Sequence, residues 1–348
     1  MGIKGLKPFL KKEGVNCFYL VKVLSFHGSR WAIDGLNWVF CYANNVVKNI
    51  LHNRSDITAP ISQEEMYRGI VKEFLQFSNK LMENGITPVW VWDGVSKDNK
   101  GVTKVERRNA RKVMIEKKEN ITTALKDLNP LERPGELLLE LRKLIINTAY
   151  ISREKIEELK QFSRELGIPT VIAEDEAETL CSSLGVERRV SATWSADTDT
   201  LPLGAPLVVK GFEWVQGELY INCIFTLNIL RDLKFDHKEF RDFCILLGTD
   251  FNDNLPQIGP AKSFKLINKF RCLEMVEKET QHNCYQLNFR QVREQLSSKE
   301  TSWLKDKEIN VNKDLDHQTL EEKYEVWDLK QTFINIRNLD KPKNVDKN

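Results

Sequence analysis

The chain has 348 residues, 41% hydrophobic and 29% charged, enough for one large or two ordinary globular domains with a buried core. Its 52 basic residues offset 50 acidic ones, so a formal charge of +2 excludes any argument for a polyanionic partner from net charge and leaves only local electrostatics. Seven cysteines without a C-x-x-C pair suggest neither a disulfide framework nor a thiolate zinc site, and no stretch approaches the length of a signal peptide core or membrane span, so an intracellular setting is expected.

In chain order, the run "RWAID" ends at Asp34, "TPVWVWD" at Asp93, "IPTVIAED" at Asp175 and "VSATWSAD" at Asp197. Each is short and apolar, as a buried strand should be, and Trp90 and Trp92 are expected in the core. Between them, helical periodicity runs over about 36–50, 62–84, 103–126, 135–147 and 152–166, with Gly85 and Gly167 as stops. Strands alternating with helices predict an α/β fold, a mostly parallel twisted sheet with helices on both faces. After Gly211, "GELYIN" reads as a strand. "FCILLGTDFNDNLPQIGPAKSFKLINKF" reads as helix, turn, helix, with Gly259-Pro260 opening the second member. Beyond about residue 275 the pattern weakens, and the tail "KPKNVDKN" is expected to be disordered.

In sheets of this kind ligands bind beyond the carboxyl ends of the strands, where these acidic residues would converge. The run "EDEAE" at 174–178 has a simple alternative, since Asp175 and Glu178 fit an N-cap and its N3 partner. Four carboxylates nevertheless exceed the need of one helix end. Asp197 and Asp199, two apart on an extended chain, point to the same side. A calcium loop is excluded there, because Leu201 and Val208 stand where ligands are needed. Asp34, Asp93 and Asp250 taken singly are ordinary turn or cap residues. With Glu176, Glu178, Asp197 and Asp199 they make seven carboxylates at element ends, and only five histidines exist, none paired as H-x-x-x-H. An all-oxygen set selects magnesium or manganese over zinc. Two such ions about 4 Å apart form a clamp for in-line attack on a phosphodiester.

Such a site stays net negative even with both ions, so a nucleic acid needs cations beside it. From 97 to 118 the chain carries nine Lys or Arg against three acidic residues, either a solvated helix face or a grip on phosphates. Within it, Lys104, Arg108, Arg111 and Lys112 are candidate DNA contacts. Gly259, Lys262 and Lys265 at the opening of the later helix form a second candidate anion site.

Together, "MGIKGL", "AIDG", "VWDG", "EDEAE", "SADTD" and "LLGTDF…IGP" resemble, in order, the flap-endonuclease branch of the XPG-type structure-specific nucleases, from Met1 to about Phe270. The resemblance implies a PIN-like 5′ nuclease fold with a helical arch and a helix-two-turn-helix DNA-binding module. It divides the chain into a nuclease domain over 1–275 (an N-terminal portion over 1–97, the arch over 98–150, an internal portion over 151–235 and the helix-two-turn-helix over 236–275) and a partly disordered C-terminal extension over 276–348. It implies that Asp34, Asp93, Glu176, Glu178, Asp197, Asp199 and Asp250 bind two Mg2+ ions, with Mn2+ as a substitute, and that Lys100 and Arg107 act at the scissile phosphate. Gly2 falls where the family's N-terminal segment meets branched DNA. Phe40 matches a base-stacking aromatic, although Leu36, Val39, Phe40, Ala43 and Val47 also read as a core stripe. The implied activity is cleavage of 5′-flap DNA in replication or repair, by a monomer in the nucleus or in a viral replication compartment. The alternatives are a noncatalytic DNA-binding scaffold, or the same chemistry as a 5′-to-3′ exonuclease, junction resolvase or RNA-directed nuclease.

Two departures stand out. Gln257 replaces the first Gly of the family's Gly-Ile-Gly, and Arg337 and Asn338 stand where a sliding-clamp motif begun by Gln331 and Ile334 would place two aromatics. These suggest a divergent or virus-encoded member without that clamp contact.

Overall fold

The computed structural model describes residues 2–94, 101–312, 320, 324 and 329–339, with the side chains of 101–108 and 307 outside that description. Seven strands among the described residues form one sheet: β1 (Phe18–Lys22), β2 (Arg30–Asp34), β3 (Thr87–Trp92), β4 (Thr170–Ile172), β5 (Ala192–Trp194), β6 (Leu207–Val215) and β7 (Glu218–Phe225). Their spatial order is β1-β7-β6-β5-β2-β3-β4. From β6 to β4 every pairing is parallel, while β7 runs antiparallel between β6 and β1. The parallel centre follows from strands joined through helices. The antiparallel margin follows from the short turn at Gln216-Gly217, where both residues have positive φ, as a tight hairpin requires.

Helices α1 (Leu6–Lys12), α2 (Gly35–His52), α3 (Gln63–Glu83), α4 (Gly101–Lys126), α5 (Gly135–Asn147), α6 (Arg153–Glu165) and α7 (Ala177–Val186) precede β5 or lie between its neighbours. α8 (Thr226–Leu233), α9 (His237–Leu247), α10 (Pro260–Phe270), α11 (Leu273–Glu279), α12 (Phe289–Gln295) and α13 (Lys330–Asn338) follow the sheet. The helices read from periodicity agree with α2 to α6 within two residues at each end. Strand β1 and the long β6 arm of the hairpin carry no clean alternation and were not legible.

One core lies under α2, α3, α6 and α13, where Trp31, Trp38, Trp90, Trp92, Phe74 and Phe162 are fully buried. Trp38 meets Trp90 edge to face at 4.9 Å, a geometry that adds to area burial. A second core joins α1 to α9, α10 and α12 through Phe9, Phe240, Phe243 and Ile267. A smaller third core seats α7 on β2 and β3 through Ala32, Val89, Val91 and Leu184. These cores cover both sheet faces and hold the carboxyl ends of β5, β2, β3 and β4 side by side.

Candidate metal centre

Asp34 ends β2 and caps α2, accepting a hydrogen bond from the Asn37 backbone N–H at 3.1 Å. It is 6% exposed and also accepts from the Ser195 hydroxyl at 3.3 Å. Burial chiefly, with Asp93 and Asp197 adding like charge, pushes its carboxyl up to about 7. Asn37 completes the tie by accepting from the Ala196 N–H at 2.8 Å, which joins the start of α2 to the turn after β5. Gly35 is needed here, because a Cβ would lie 2.7 Å from the Trp92 ring.

Asp93 follows β3 and accepts from the Ala177 N–H at 2.7 Å, so it caps α7 from another strand. Gly94 locks the same corner: its N–H donates to the Asp175 carbonyl at 2.8 Å, and a Cβ would lie 2.0 Å from the Ala173 carbonyl oxygen. Glu176 occupies the N-cap position of α7 and Glu178 its first turn, the irregular entrance that two residues so close in sequence need to reach one centre. Asp175 points elsewhere, into an ion pair with Lys299.

After β5 the chain turns through a ladder of local bonds. The Asp197 N–H donates to Ser195 Oγ at 3.1 Å and the Asp199 N–H to Asp197 Oδ1 at 3.2 Å. Carboxylate oxygens of Glu178, Asp197 and Asp199 all lie within 4.8 Å of one another. The trio's all-oxygen chemistry fits a hard cation such as Mg2+. Asp34 and Asp93 adjoin it electrostatically, as the shift of Asp34 shows. Burial and the charges of Asp34, Asp93 and Glu178 also push the buried Cys181 thiol well above its usual range, so its sulfur stays protonated.

The N-terminal segment closes the near side. Gly2 has φ of +97°, and a Cβ there would fall 2.2 Å from Asp197 Oδ1, so only glycine lets the backbone lie against the acidic turn. The Ile3 N–H donates to Thr198 Oγ1 at 2.9 Å and the Lys4 N–H to the Gly248 carbonyl at 3.1 Å, two residues before Asp250. Thus the loop carrying Asp250 is joined to the cluster through the chain's first residues.

Lys210 on β6 was missed by sequence reasoning. Its ammonium donates to the carbonyls of Ser195 at 3.0 Å and Asp197 at 2.8 Å, supporting the acidic turn from behind. Burial lowers it to about 8, although Asp197 pulls the other way. The only signal was a lysine breaking the apolar run "PLVVKG".

Phe40 is 50% exposed, whereas Val39, Ala43 and Val47 are buried, so the helical stripe leaves its ring outside the core. In α4, Arg111 donates to the Thr148 carbonyl at 2.9 Å and stands 5.3 Å from the Tyr150 ring, fastening the middle of the helix, while Lys112 is exposed. Lys104, Arg107 and Arg108 lie in the same helix with side chains outside the described residues, and Lys100 and the tail at 341–348 fall outside them altogether. Gly259 is the N-cap of α10, Lys262 folds back onto the Gln257 carbonyl at 3.1 Å, and Lys265 lies a turn further on. Gln257 holds φ of +62°, so the turn keeps a left-handed residue where the expected glycine is absent.

A parallel-centred sheet with clustered carboxylates at its strand ends defines an α/β protein with a candidate cation site. Family models for the XPG N-terminal domain and the XPG I-region match residues 1–114 and 167–250, together more than half of the chain. The flap endonuclease 1 of Entamoeba dispar is 30% identical over 281 residues, 80% of this chain and 70% of that protein. That of Plasmodium chabaudi chabaudi is 27% identical over 331 residues, 90% of this chain but 65% of that protein, and the chain spans 44% of the Plasmodium falciparum relative. Among solved structures, flap endonuclease-1 from Methanococcus jannaschii superposes with a TM-score of 0.59 at 20% identity, over 92% of this chain and 96% of that one. The catalytic core of Rad2 in complex with DNA substrate gives 0.55 at 19% identity, over 98% and 87%. The chain belongs to the XPG-type 5′ nuclease family, and its fold is the α/β fold of that family.

Proposed function

We propose that this protein is a magnesium-dependent, structure-specific 5′ nuclease that hydrolyses phosphodiester bonds in branched, 5′-flap DNA during replication or repair, and so acts inside the cell. The observation that carries the reading is the convergence of Asp34, Asp93, Glu178, Asp197 and Asp199 from four strand ends. A noncatalytic scaffold has no need to keep so costly a set of buried and half-buried like charges.

Two divalent ions would supply activated water and stabilisation of the leaving oxygen. Glu178, Asp197 and Asp199 would hold one, and Asp34 and Asp93, with Glu176 and Asp250, would complete the set. The protein's own contribution is to orient these groups: Asn37, Ser195 and Lys210 fix the acidic turn, and the cap on α7 fixes Asp93. Lys100 and Arg107 would face the scissile phosphate, and Gly2, Phe40 and the helix-two-turn-helix residues Gly259, Lys262 and Lys265 would contact DNA. The division into a nuclease domain over 1–275 and an extension over 276–348 belongs to the same reading.

Incubating labelled flaps, gaps, nicks, four-way junctions and RNA with Mg2+, Mn2+ or chelator, then sizing products, tests the proposal. Metal-dependent release of a flap with a 3′-hydroxyl on the product is expected. Asp199→Asn should lower the cleavage rate by roughly 10³-fold or more, the scale of losing transition-state charge stabilisation, while flap binding persists. Full activity in that variant, or cleavage in chelator, rejects the assignment.

A further inference from the structure

A cleft of about 510 Å3 opens between α1 and the sheet margin, lined by Lys7 and Lys11 of α1, Lys210 of β6, Tyr19 of β1 and Asn222 of β7. No aspartate or glutamate lines it. Lys7 and Lys11 are four apart, on one face of α1, and both are exposed. Among the described residues neither has an ion-pair partner, and Lys7 lies close enough to Lys210 for their charges to oppose each other. The neutral polar groups are already engaged: the Tyr19 hydroxyl donates to the Asn16 carbonyl at 3.1 Å and the Asn222 amide to Glu213 at 2.9 Å. Lys7 and Lys11 therefore bring two cations without ion-pair partners into a concave site with nothing anionic in its lining, beside Lys210, whose charge Asp197 and Asp199 already offset in part. A bound anion relieves that repulsion.

The position of the cleft selects the anion. Lys210 forms one wall and also holds the carbonyls of Ser195 and Asp197, so the cleft backs directly onto the acidic turn. In the sheet, β1, β7 and β6 lie on one side of β5 and β2, while β3, from which the chain passes to α4, lies on the other. We propose that Lys7 and Lys11, with Lys210 as the inner wall of their cleft, form a phosphate-binding station that grips the backbone of the DNA substrate on the α1 side of the carboxylate cluster. The inference rests on the nuclease reading and extends its substrate path to a surface that the sequence motifs do not mark.

Fluorescence anisotropy of a 5′-flap DNA in calcium buffer, over a series of salt concentrations, tests it. The double variant Lys7→Gln, Lys11→Gln should bind about tenfold more weakly near 0.1 M salt, with the slope of log K against log salt smaller in magnitude by about 2, one unit per lost contact. Lys12→Gln, on the same helix but outside the cleft, should leave binding and cleavage unchanged. A double variant with the affinity and slope of that control overturns the proposal. So does a cleft that serves only a free anion: inorganic phosphate raising the wild-type melting temperature at matched ionic strength but not that of the double variant, with DNA binding equal in both. A wild-type chain that neither binds nor cuts branched DNA would instead overturn the nuclease reading.

Discussion

Asp34 performs two roles with opposing energetic consequences. As an N-cap it satisfies the first turn of α2, which contributes about 1 kcal/mol. As a buried carboxylate beside Asp93 and Asp197 it resists ionisation, and its folded value of about 7 exceeds the unfolded 3.8. The folded state thus holds its proton more tightly. The resulting penalty is absent below pH 3.8, grows as pH rises towards 7 and is constant above it. In chelator, Asp34→Asn should therefore melt higher than wild type at pH 8, by several degrees, with the gap shrinking towards pH 5; melting curves at the two pH values check this. Magnesium should narrow the gap at pH 8 by stabilising the wild type more. A gap independent of pH and metal would show that Asp34 does not share the cluster's charge.

At the scale of elements, α4 is a long, basic helix fastened near its middle. Twenty-six residues make a helix of about 39 Å. Arg111 is committed to Thr148 and Tyr150 and Lys117 to Glu140, so these cations stabilise the pairing of α4 with α5. Within the charge run that sequence could read only as a block, tertiary contacts thus set Arg111 and Lys117, which fasten, apart from Lys112, which is exposed. Lys104, Arg108 and Lys112 remain candidates for phosphate contact. Neutralising all three should reduce the salt slope of flap binding by about 3 without lowering the melting temperature, whereas Arg111→Gln should lower it. Salt titrations and melting of the two variants distinguish the roles.

Across the whole molecule, the segment at 296–312 straps the late chain back onto the α/β core. Arg189 donates to the carbonyls of Thr301 at 2.8 Å and Leu304 at 2.6 Å and pairs with Asp306 at 3.1 Å. The Lys299 N–H donates to Ser183 Oγ at 2.8 Å while its ammonium pairs with Asp175, so the strap also braces the loop that presents Glu176 and Glu178. Leu304 and Ile309 bury their side chains with α7, β2 and β3, and Asn312 donates to the Gly167 carbonyl at 2.9 Å. Arg189→Ala removes charge-assisted bonds from a largely buried guanidinium and should cost about 2–4 kcal/mol, read as a lower denaturation midpoint and faster proteolysis near 300. Unchanged midpoints would show that the strap is not coupled to the core. α13 makes a similar return further on, burying Phe333 and Ile336 and exchanging hydrogen bonds with Asn79 on α3.

Local chemistry was enough to read the strands that lead to Asp34, Asp93 and Asp197, the helices between them and the acidic character of the turns that follow. Apolar runs, helical periods and capping residues act over a few neighbours, and the order of motifs carried the family. The antiparallel margin, the strap and Lys210 depended on contacts between distant segments. A lysine in "PLVVKG" becomes a support for Asp197 only when β6 packs beside β5, and polar residues such as Thr301 find partners only across the fold. Phe40 shows the same division: its period suited the core, but the packing of α2 left its ring in solvent. Desolvation and long-range charge have no local signature in a chain, so the pKa of Asp34 and the basic cleft behind the acidic turn were decided by tertiary structure alone.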